Sequence, residues 1–150
     1  MVAADAAEVA RLIRRAFAAQ SVMTDPPPSA LRVTEADVAA HLREGGGAVA
    51  AGEEALVGSA IWVERGGALY LGRLAVAPDW RGRGIAGRLI AAAEAAARAA
   101  RLPRIELSTR LVLADNRRLF AACGFTETNV EAHPGYAAPT FVNMEKWLGA

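Results

Sequence analysis

The sequence predicts an α+β protein with a mixed sheet that is mostly antiparallel and is flanked by helices. Apolar residues recur at helical spacing over residues 5–19, 35–44 and 84–100. Between the second and third of these helices the apolar pattern changes to a period of two, which is typical of strands joined by tight turns. The third helix then separates Val76 from Arg104, and a helical crossover of this kind joins parallel strands. We therefore expect one parallel pair of strands in the sheet.

The first two helices have recognisable ends. Asp5 is expected to cap the first helix, and three consecutive prolines in the loop 24–33 prevent a helix from continuing there. Thr34 is expected to cap the second helix, with Asp37 at the third helical position completing the capping pattern. A run of three glycines at 45–47 ends this helix.

The strands are expected in two groups. Residues 47–52, 55–64 and 68–76 predict an antiparallel meander with glycine-containing turns. A further strand, 104–109, follows the crossover helix.

The last part of the chain is expected to form a short helix at 115–122 that ends at Gly124. Two final strands, 124–131 and 139–148, flank the loop 132–138.

Composition and charge limit the classes to which the protein can belong. A length of 150 residues suits one domain, residues 1–150, and 53% hydrophobic with 22% charged residues predicts a compact fold. The formal charge of +1, from 17 basic and 16 acidic residues, argues against a general binder of nucleic acids or membrane surfaces. Because no signal peptide pattern or long uncharged apolar stretch occurs, we expect a cytoplasmic protein. The single cysteine, Cys123, cannot form an internal disulfide and is expected to be a small buried side chain.

The segment RGRGIAGR, from Arg81 to Arg88, predicts an anion site. It follows a strand and opens a helix, and helix N-termini leave backbone N–H groups without partners and carry partial positive charge. Its glycines allow the backbone to approach a ligand closely. Phosphate or pyrophosphate is the expected ligand. The alternative is a solvent-facing loop whose glycines make the turn and whose arginines serve solubility.

Two other glycine motifs are alternatives to this interpretation. Residues 82–87 match the G-x-G-x-x-G pattern of dinucleotide-binding proteins, and Glu106 follows about 20 residues later. However, antiparallel strands precede the motif, too few residues follow it for the remaining βα units, and APDWR separates the strand end from the first glycine. A P-loop is excluded because the sequence contains no Gly-Lys-Ser/Thr.

The stretch LAVAPDWRGRGIAGRLI, from Leu74 to Ile90, resembles the central motif of the GNAT family of N-acetyltransferases. In the family pattern Arg/Gln-x-x-Gly-x-Gly/Ala, the defined positions are occupied here by Arg81, Gly84 and Ala86. The resemblance extends over nearly the whole chain, through the two first helices, the meander, NRRLFAACGF and the terminal hairpin. It implies the fold of this family, with the parallel strands splayed apart, and acetyl-CoA as the bound cofactor.

The resemblance also implies how acetyl-CoA is held. Backbone N–H groups of residues 82–87 would surround the pyrophosphate, and the strand at 74–76 would pair with the pantetheine arm. The strand at 105–109 would diverge and open the cleft. The implied cofactor-binding residues are Leu74, Ala75, Val76, Arg81, Gly82, Arg83, Gly84, Ile85, Ala86, Gly87, Arg88, Asn116 and Phe120.

Acyl transfer to an amine requires a deprotonated amine, a stabilised oxyanion and a proton for the departing thiolate. In the family the oxyanion donor is commonly a main-chain N–H of the central strand, which falls here at 74–76. A tyrosine before the GF sequence often protonates the thiolate, but Phe120 holds that position here. With this departure, the thiolate would be protonated by water or by another tyrosine, or it would leave without an acid. A second departure is that only residues 1–4 precede the first helix, so the family's first strand is missing or supplied otherwise.

Three side chains are candidates for proton transfer. Glu106 alternates with Ile105 and Leu107 and therefore faces away from one apolar surface. His133 and Tyr136 lie in the loop between the final strands, and histidine titrates near neutrality. Each candidate also has an interpretation without a catalytic role. Glu106 would be a solvated carboxylate, His133 an exposed histidine and Tyr136 a tyrosine packed for structure.

Two functions remain open from the sequence. The first is an acetyl-CoA-dependent N-acetyltransferase that acts on a primary amine of a small molecule or peptide, by direct attack in a ternary complex. The second is a CoA-binding module with little or no catalysis, which Phe120 and the lack of a carboxylate in the central strand suggest. We expect no metal, nucleic acid or membrane partner, and a homodimer is left open.

Overall fold

The computed structural model of the chain describes residues 1–20 and 22–149. Its helices are α1 (Ala6–Ala18), α2 (Glu35–Glu44), α3 (Ile85–Ala99) and α4 (Ala114–Ala122). Its strands are β1 (Gly46–Ala51), β2 (Leu56–Arg65), β3 (Ala68–Val76), β4 (Arg104–Arg110), β5 (Thr126–Glu131) and β6 (Phe141–Trp147). Short 3-10 turns occupy Ala3–Asp5, Ser29–Arg32 and Pro78–Trp80.

Within the described residues the strands form one six-stranded sheet in the order β1-β2-β3-β4-β6-β5. The β3–β4 pair is parallel and every other neighbouring pair is antiparallel. The predicted mixed sheet with one parallel pair is therefore confirmed. The order of the last two strands was not predicted: β6 returns to lie between β4 and β5, so β5 forms the edge.

Helices cover both faces of the sheet near β2 and β3. The segment Val57–Ile61 of β2 is buried at every position, and successive side chains of a strand point to opposite faces. Gly58 allows α3 to pack closely against β2, because a Cβ atom there would lie 2.7 Å from Ile85 Cγ2. This packing fixes the start of α3, with Ile85 and Leu89 buried against the strand.

Most predicted element boundaries differ from the structure by one or two residues. Thr34 caps α2 as expected, since its Oγ1 accepts a hydrogen bond from the Asp37 N–H at 3.1 Å and Asp37 Oδ2 accepts from the Thr34 N–H. Asp5 occupies the N-cap position of α1 as predicted, but its side chain makes no capping hydrogen bond to the helix. Its carboxylate accepts from the Val2 N–H instead, because a 3-10 turn precedes the helix. Within the predicted loop 24–33, a 3-10 turn forms at Ser29–Arg32.

Among the described residues no strand precedes α1, and the sheet begins with β1. Cys123 is only half-buried, at the edge of the core. None of the described helices has the length and hydropathy needed to cross a bilayer.

Candidate active site

The parallel strands β3 and β4 pair at only two positions, Leu69 with Ile105 and Tyr70 with Glu106. Beyond these pairs β3 continues to Val76 and β4 to Arg110 without further pairing between them. The two strands therefore diverge, as the resemblance implied. We call the gap between residues 71–76 and 107–110 the fork.

A β-bulge lies in β3 where the fork begins. Ser59 pairs with Ala75 and Ile61 with Gly72, so Arg73 and Leu74 together oppose one residue of β2. Arg73 adopts a φ of +51°, a backbone conformation that residues other than glycine rarely adopt. Such bulges bend a strand and re-aim its side chains. The sequence analysis predicted a regular strand here, although the isolated Gly72 within a strand pattern is a signal for a bulge.

The loop after β3 presents unpaired backbone donors at the start of α3. Gly84 is the N-cap with a φ of +79°, and the backbone N–H groups from Gly84 to Gly87 find no acceptor among the described residues. A Cβ atom at Gly82, Gly84 or Gly87 would meet nothing within 4 Å. These glycines therefore leave open space directly beside the donors, at the positive end of the helix dipole.

The three arginines of this loop have different environments. Arg81 donates from Nη2 to the Ala16 carbonyl at 2.9 Å and from Nη1 to the Ala19 carbonyl at 3.2 Å, so it binds the C-terminal end of α1. The Arg83 guanidinium stacks over the Trp80 ring at 4.6 Å. Arg88 is exposed in the first turn of α3. The Arg81 charge is thus engaged within the protein.

Two cavities meet at the fork. The loop-side cavity, of about 680 Å³, lies along the end of β3 and the start of α3. The fork-side cavity, of about 620 Å³, lies between β3, β4 and the loop after β5. Both are lined by a shared set of side chains: Phe17, Gln20, Leu74, Leu113, Asn116 and Phe120. A molecule in one cavity can therefore contact a molecule in the other.

All the predicted cofactor-binding residues except Arg83 and Arg88 line the loop-side cavity. Asn116 and Phe120, which come from α4, stand at its junction with the fork-side cavity. Phe120 is buried there and packs edge-on against Phe125, with ring centroids 6.1 Å apart. It contributes an apolar wall at the junction.

Two of the three candidates for proton transfer lie next to each other: the His133 and Tyr136 rings pack edge-on with centroids 6.4 Å apart, whereas Glu106 lies elsewhere on β4. His133 lines the fork-side cavity, with its Nδ1 contacting Thr140 Oγ1 and its ring edge-on to Phe141. Burial, followed by the charge of Arg110, lowers the pKa of His133 from the usual histidine value, which favours the neutral imidazole.

Glu106 and Tyr136 line neither cavity. The Glu106 carboxylate accepts a hydrogen bond from Arg104 Nε at 2.9 Å, two residues away on the same strand. The Tyr136 hydroxyl donates to Asp25 Oδ1 at 2.5 Å, and this bond raises the pKa of Tyr136. Both groups therefore have partners outside the cavities.

Several polar side chains of the fork-side cavity were not predicted as site residues. They are Ser29, His41, Tyr70, Arg73 and Arg110. Arg73 and Arg110 lie on the two strands that form the fork, and no local pattern marks them. Their common location follows from the bulge and from the divergence of the strands.

A model of the acetyltransferase (GNAT) family matches residues 9–125. This match spans the first helix, the meander, the glycine loop and α4, and it confirms the resemblance drawn from the sequence. No curated protein matches the sequence at a significant level.

Solved structures with the same fold include ribosomal-protein-S18-alanine N-acetyltransferase from Escherichia coli. Its TM-score is 0.79 at 16% identity, over 100% of this chain and 92% of that one. PaiA N-acetyltransferase from Thermoplasma acidophilum, solved with coenzyme A, has a TM-score of 0.79 at 16% identity, over 99% and 96% of the two chains. Nourseothricin acetyltransferase has a TM-score of 0.64 at 23% identity over 69% of this chain, which spans only 65% of that protein's length.

We predict that Arg81→Gln lowers the stability of the ligand-free protein by about 1 kcal/mol, because two carbonyls at the end of α1 lose their donor. Urea unfolding of the ligand-free protein measures this change. Arg88→Gln is the control, and as an exposed substitution it should stay within about 0.5 kcal/mol of the native value. Equal stability of the two variants would show that Arg81 does not hold α1.

Proposed function

Because the chain belongs to the acetyltransferase (GNAT) family, we propose that it transfers the acetyl group of acetyl-CoA to a primary amine, by direct attack in a ternary complex. The enzyme class predicted from the sequence, an acetyl-CoA-dependent acyltransferase, is the class of this family. The observation that carries the proposal is the junction of two cavities at the fork. One cavity carries unpaired backbone donors and the other is open to an acceptor.

The residues of the loop-side cavity fit coenzyme A. Unpaired N–H groups at a helix N-terminus, next to glycines that leave open space, suit a pyrophosphate. The cavity volume of about 680 Å³ falls in the range of small-molecule sites. The structure of the T. acidophilum acetyltransferase with coenzyme A supports the same ligand here.

The fork gives β3 a free edge for the pantetheine arm. From residue 71 onward β3 has no partner on the β4 side, so its peptide groups can pair with an amide-containing ligand as with an added strand. When bound, acetyl-CoA supplies an acetyl group activated as a thioester. We assign to a backbone N–H of residues 74–76 the donation of a hydrogen bond to the carbonyl oxygen of that group, a role that needs no side chain.

His133 is the side chain that we assign to take the amine proton. It lines the fork-side cavity, where the acceptor would bind, and its lowered pKa keeps a ring nitrogen free to accept a proton at neutral pH. Among the described residues no carboxylate lines this cavity. Phe120 cannot donate a proton at the junction, so the thiolate would leave as an anion or take its proton from water.

The proposal is tested by measuring acetyl-CoA binding by calorimetry and free-thiol release over a panel of primary amines. Binding together with turnover of at least one amine is the expected result. Binding without turnover of any amine would favour the alternative, a CoA-binding module. No binding at millimolar acetyl-CoA would overturn both functions.

We predict that Gly84→Glu weakens acetyl-CoA binding by at least about 100-fold, or about 2.7 kcal/mol. The new carboxylate would occupy the open space beside the amides and repel the pyrophosphate. Gly67→Glu is the matched control, because Gly67 has nearly the same φ, +76°, and equally open surroundings, in the turn between β2 and β3. Equal affinities of the two variants would contradict the assignment of the loop.

We predict that His133→Gln lowers kcat/KM by about 100-fold or more, the usual contribution of a general base. In the native enzyme kcat/KM should rise with pH through a midpoint below the usual pKa of histidine, because a lowered pKa means that His133 becomes active as a base at lower pH. The variant should lose this limb while its affinity for acetyl-CoA stays unchanged. A native profile without such a limb would remove His133 from the mechanism.

A further inference from the structure

The fork-side cavity has positive charge without a matching negative charge. Arg73 and Arg110 line it from the two strands of the fork, and among the described residues no aspartate or glutamate lines it. No carboxylate oxygen of the described residues lies within 4.0 Å of either guanidinium. The cavity is therefore suited to an anionic group.

Each of these two arginines is held by a neutral acceptor of the segment between α1 and α2. Arg73 Nη2 donates to Ser29 Oγ at 2.9 Å, and Arg110 Nη1 donates to the Pro26 carbonyl at 2.5 Å. A guanidinium carries five N–H donors, so each of these side chains is oriented but keeps further donors for a ligand. Arg73 lies in the β-bulge, and a bulge changes the direction in which a side chain leaves its strand.

The two carboxylates whose charges act to raise the pKa values of these arginines have other hydrogen-bond partners. Asp25, near Arg110, accepts the Tyr136 hydroxyl, and Asp37, near Arg73, forms the N-terminal cap of α2 with Thr34. Neither aspartate lines the cavity. Burial lowers the pKa of both arginines from the usual arginine value, as expected for guanidinium groups that have lost part of their hydration without gaining an ion pair.

From this arrangement we infer that the acceptor amine carries a carboxylate, which Arg73 and Arg110 bind in the fork-side cavity. Guanidinium groups match the planar geometry of a carboxylate and bind it through two parallel hydrogen bonds. A bound carboxylate also places a negative charge inside the cavity, which no described aspartate or glutamate lines. The inference rests on the proposed function, since it names the class of acceptor for the same site.

The size and walls of the cavity narrow this class to amino acids and compounds of similar size. A volume of about 620 Å³ holds a free amino acid with a large side chain. Apart from its polar groups the cavity has apolar walls that include Phe17, Ile61, Trp62 and Phe141. An amino acid with an apolar or aromatic side chain fits both features.

The test compares amines that differ only in the carboxylate. The pairs are L-phenylalanine with phenethylamine, L-leucine with isopentylamine and L-lysine with cadaverine, and O-phosphoethanolamine tests phosphate as the anion. We expect kcat/KM to be at least about tenfold higher for the carboxylate member of a pair, because one or two charge-assisted hydrogen bonds stabilise its complex by that factor. Arg73→Gln and Arg110→Gln should each reduce this ratio toward one, mainly by raising KM. Arg11→Gln, an exposed change on α1, should preserve it.

Binding gives a second readout that does not depend on turnover. In calorimetry N-acetyl-L-phenylalanine should bind more tightly than N-acetylphenethylamine, and each cavity arginine variant should lose this difference. Unchanged affinity of these variants for acetyl-CoA shows that they are folded.

Three results of the acetylation assay would overturn the inference. They are equal or better acetylation of the decarboxylated partners, a preference for O-phosphoethanolamine, and a preference for carboxylates that survives both arginine substitutions. The inference would also be overturned if no carboxylate is acetylated and N-acetyl-L-phenylalanine does not bind at millimolar concentration. Failure of the proposed function is distinguishable, because the native protein would then not bind acetyl-CoA or would acetylate no amine at all.

Discussion

The short parallel contact between β3 and β4 is the constraint on which the site depends. Two residue pairs join these strands, whereas β6 pairs with β4 along its whole length, from Arg104 to Arg110. On the other side β2 pairs with β3 out to Val76. Each strand of the fork is therefore held by its outer neighbour, and the gap stays open without a ligand to separate the strands. The two cavities, the free edge of β3 and the convergence of α4 on the junction all follow from this geometry.

The distribution of charge divides the site into two parts. In the loop-side cavity the positive potential comes from backbone N–H groups at the start of α3, while the Arg81 guanidinium serves to hold α1. In the fork-side cavity it comes from the side chains of Arg73 and Arg110. Backbone donors suit a ligand of fixed structure, such as a pyrophosphate. Side chains, which can be replaced without changing the loop, suit the part of the site that selects an acceptor.

The sequence predicted the parts of this structure that local patterns determine. Helical and strand periodicity gave the elements, the crossover after Val76 gave the parallel pair, and the glycine loop gave the position of the unpaired amides. Features that depend on distant partners were not predicted. The insertion of β6 beside β4, the bonding of Arg81 to α1 and the φ of Arg73 each result from contacts between remote segments. The same limit explains why Arg73 and Arg110 were missed: each lies in an ordinary strand pattern, and only the fold places them in one cavity.

Hydrogen exchange of individual amides, measured by NMR with and without coenzyme A, shows whether the cofactor binds at the start of α3 and along the free edge of β3. The amides of residues 84–87 have no acceptor within the described structure, and those facing the fork from β3 have no β4 partner. Saturating coenzyme A should slow exchange at both sets of amides, while the amides of β5 at the far edge of the sheet should exchange as before. Unchanged exchange at residues 84–87 in a protein that binds coenzyme A would show that the ligand lies elsewhere, and would contradict this account of the site.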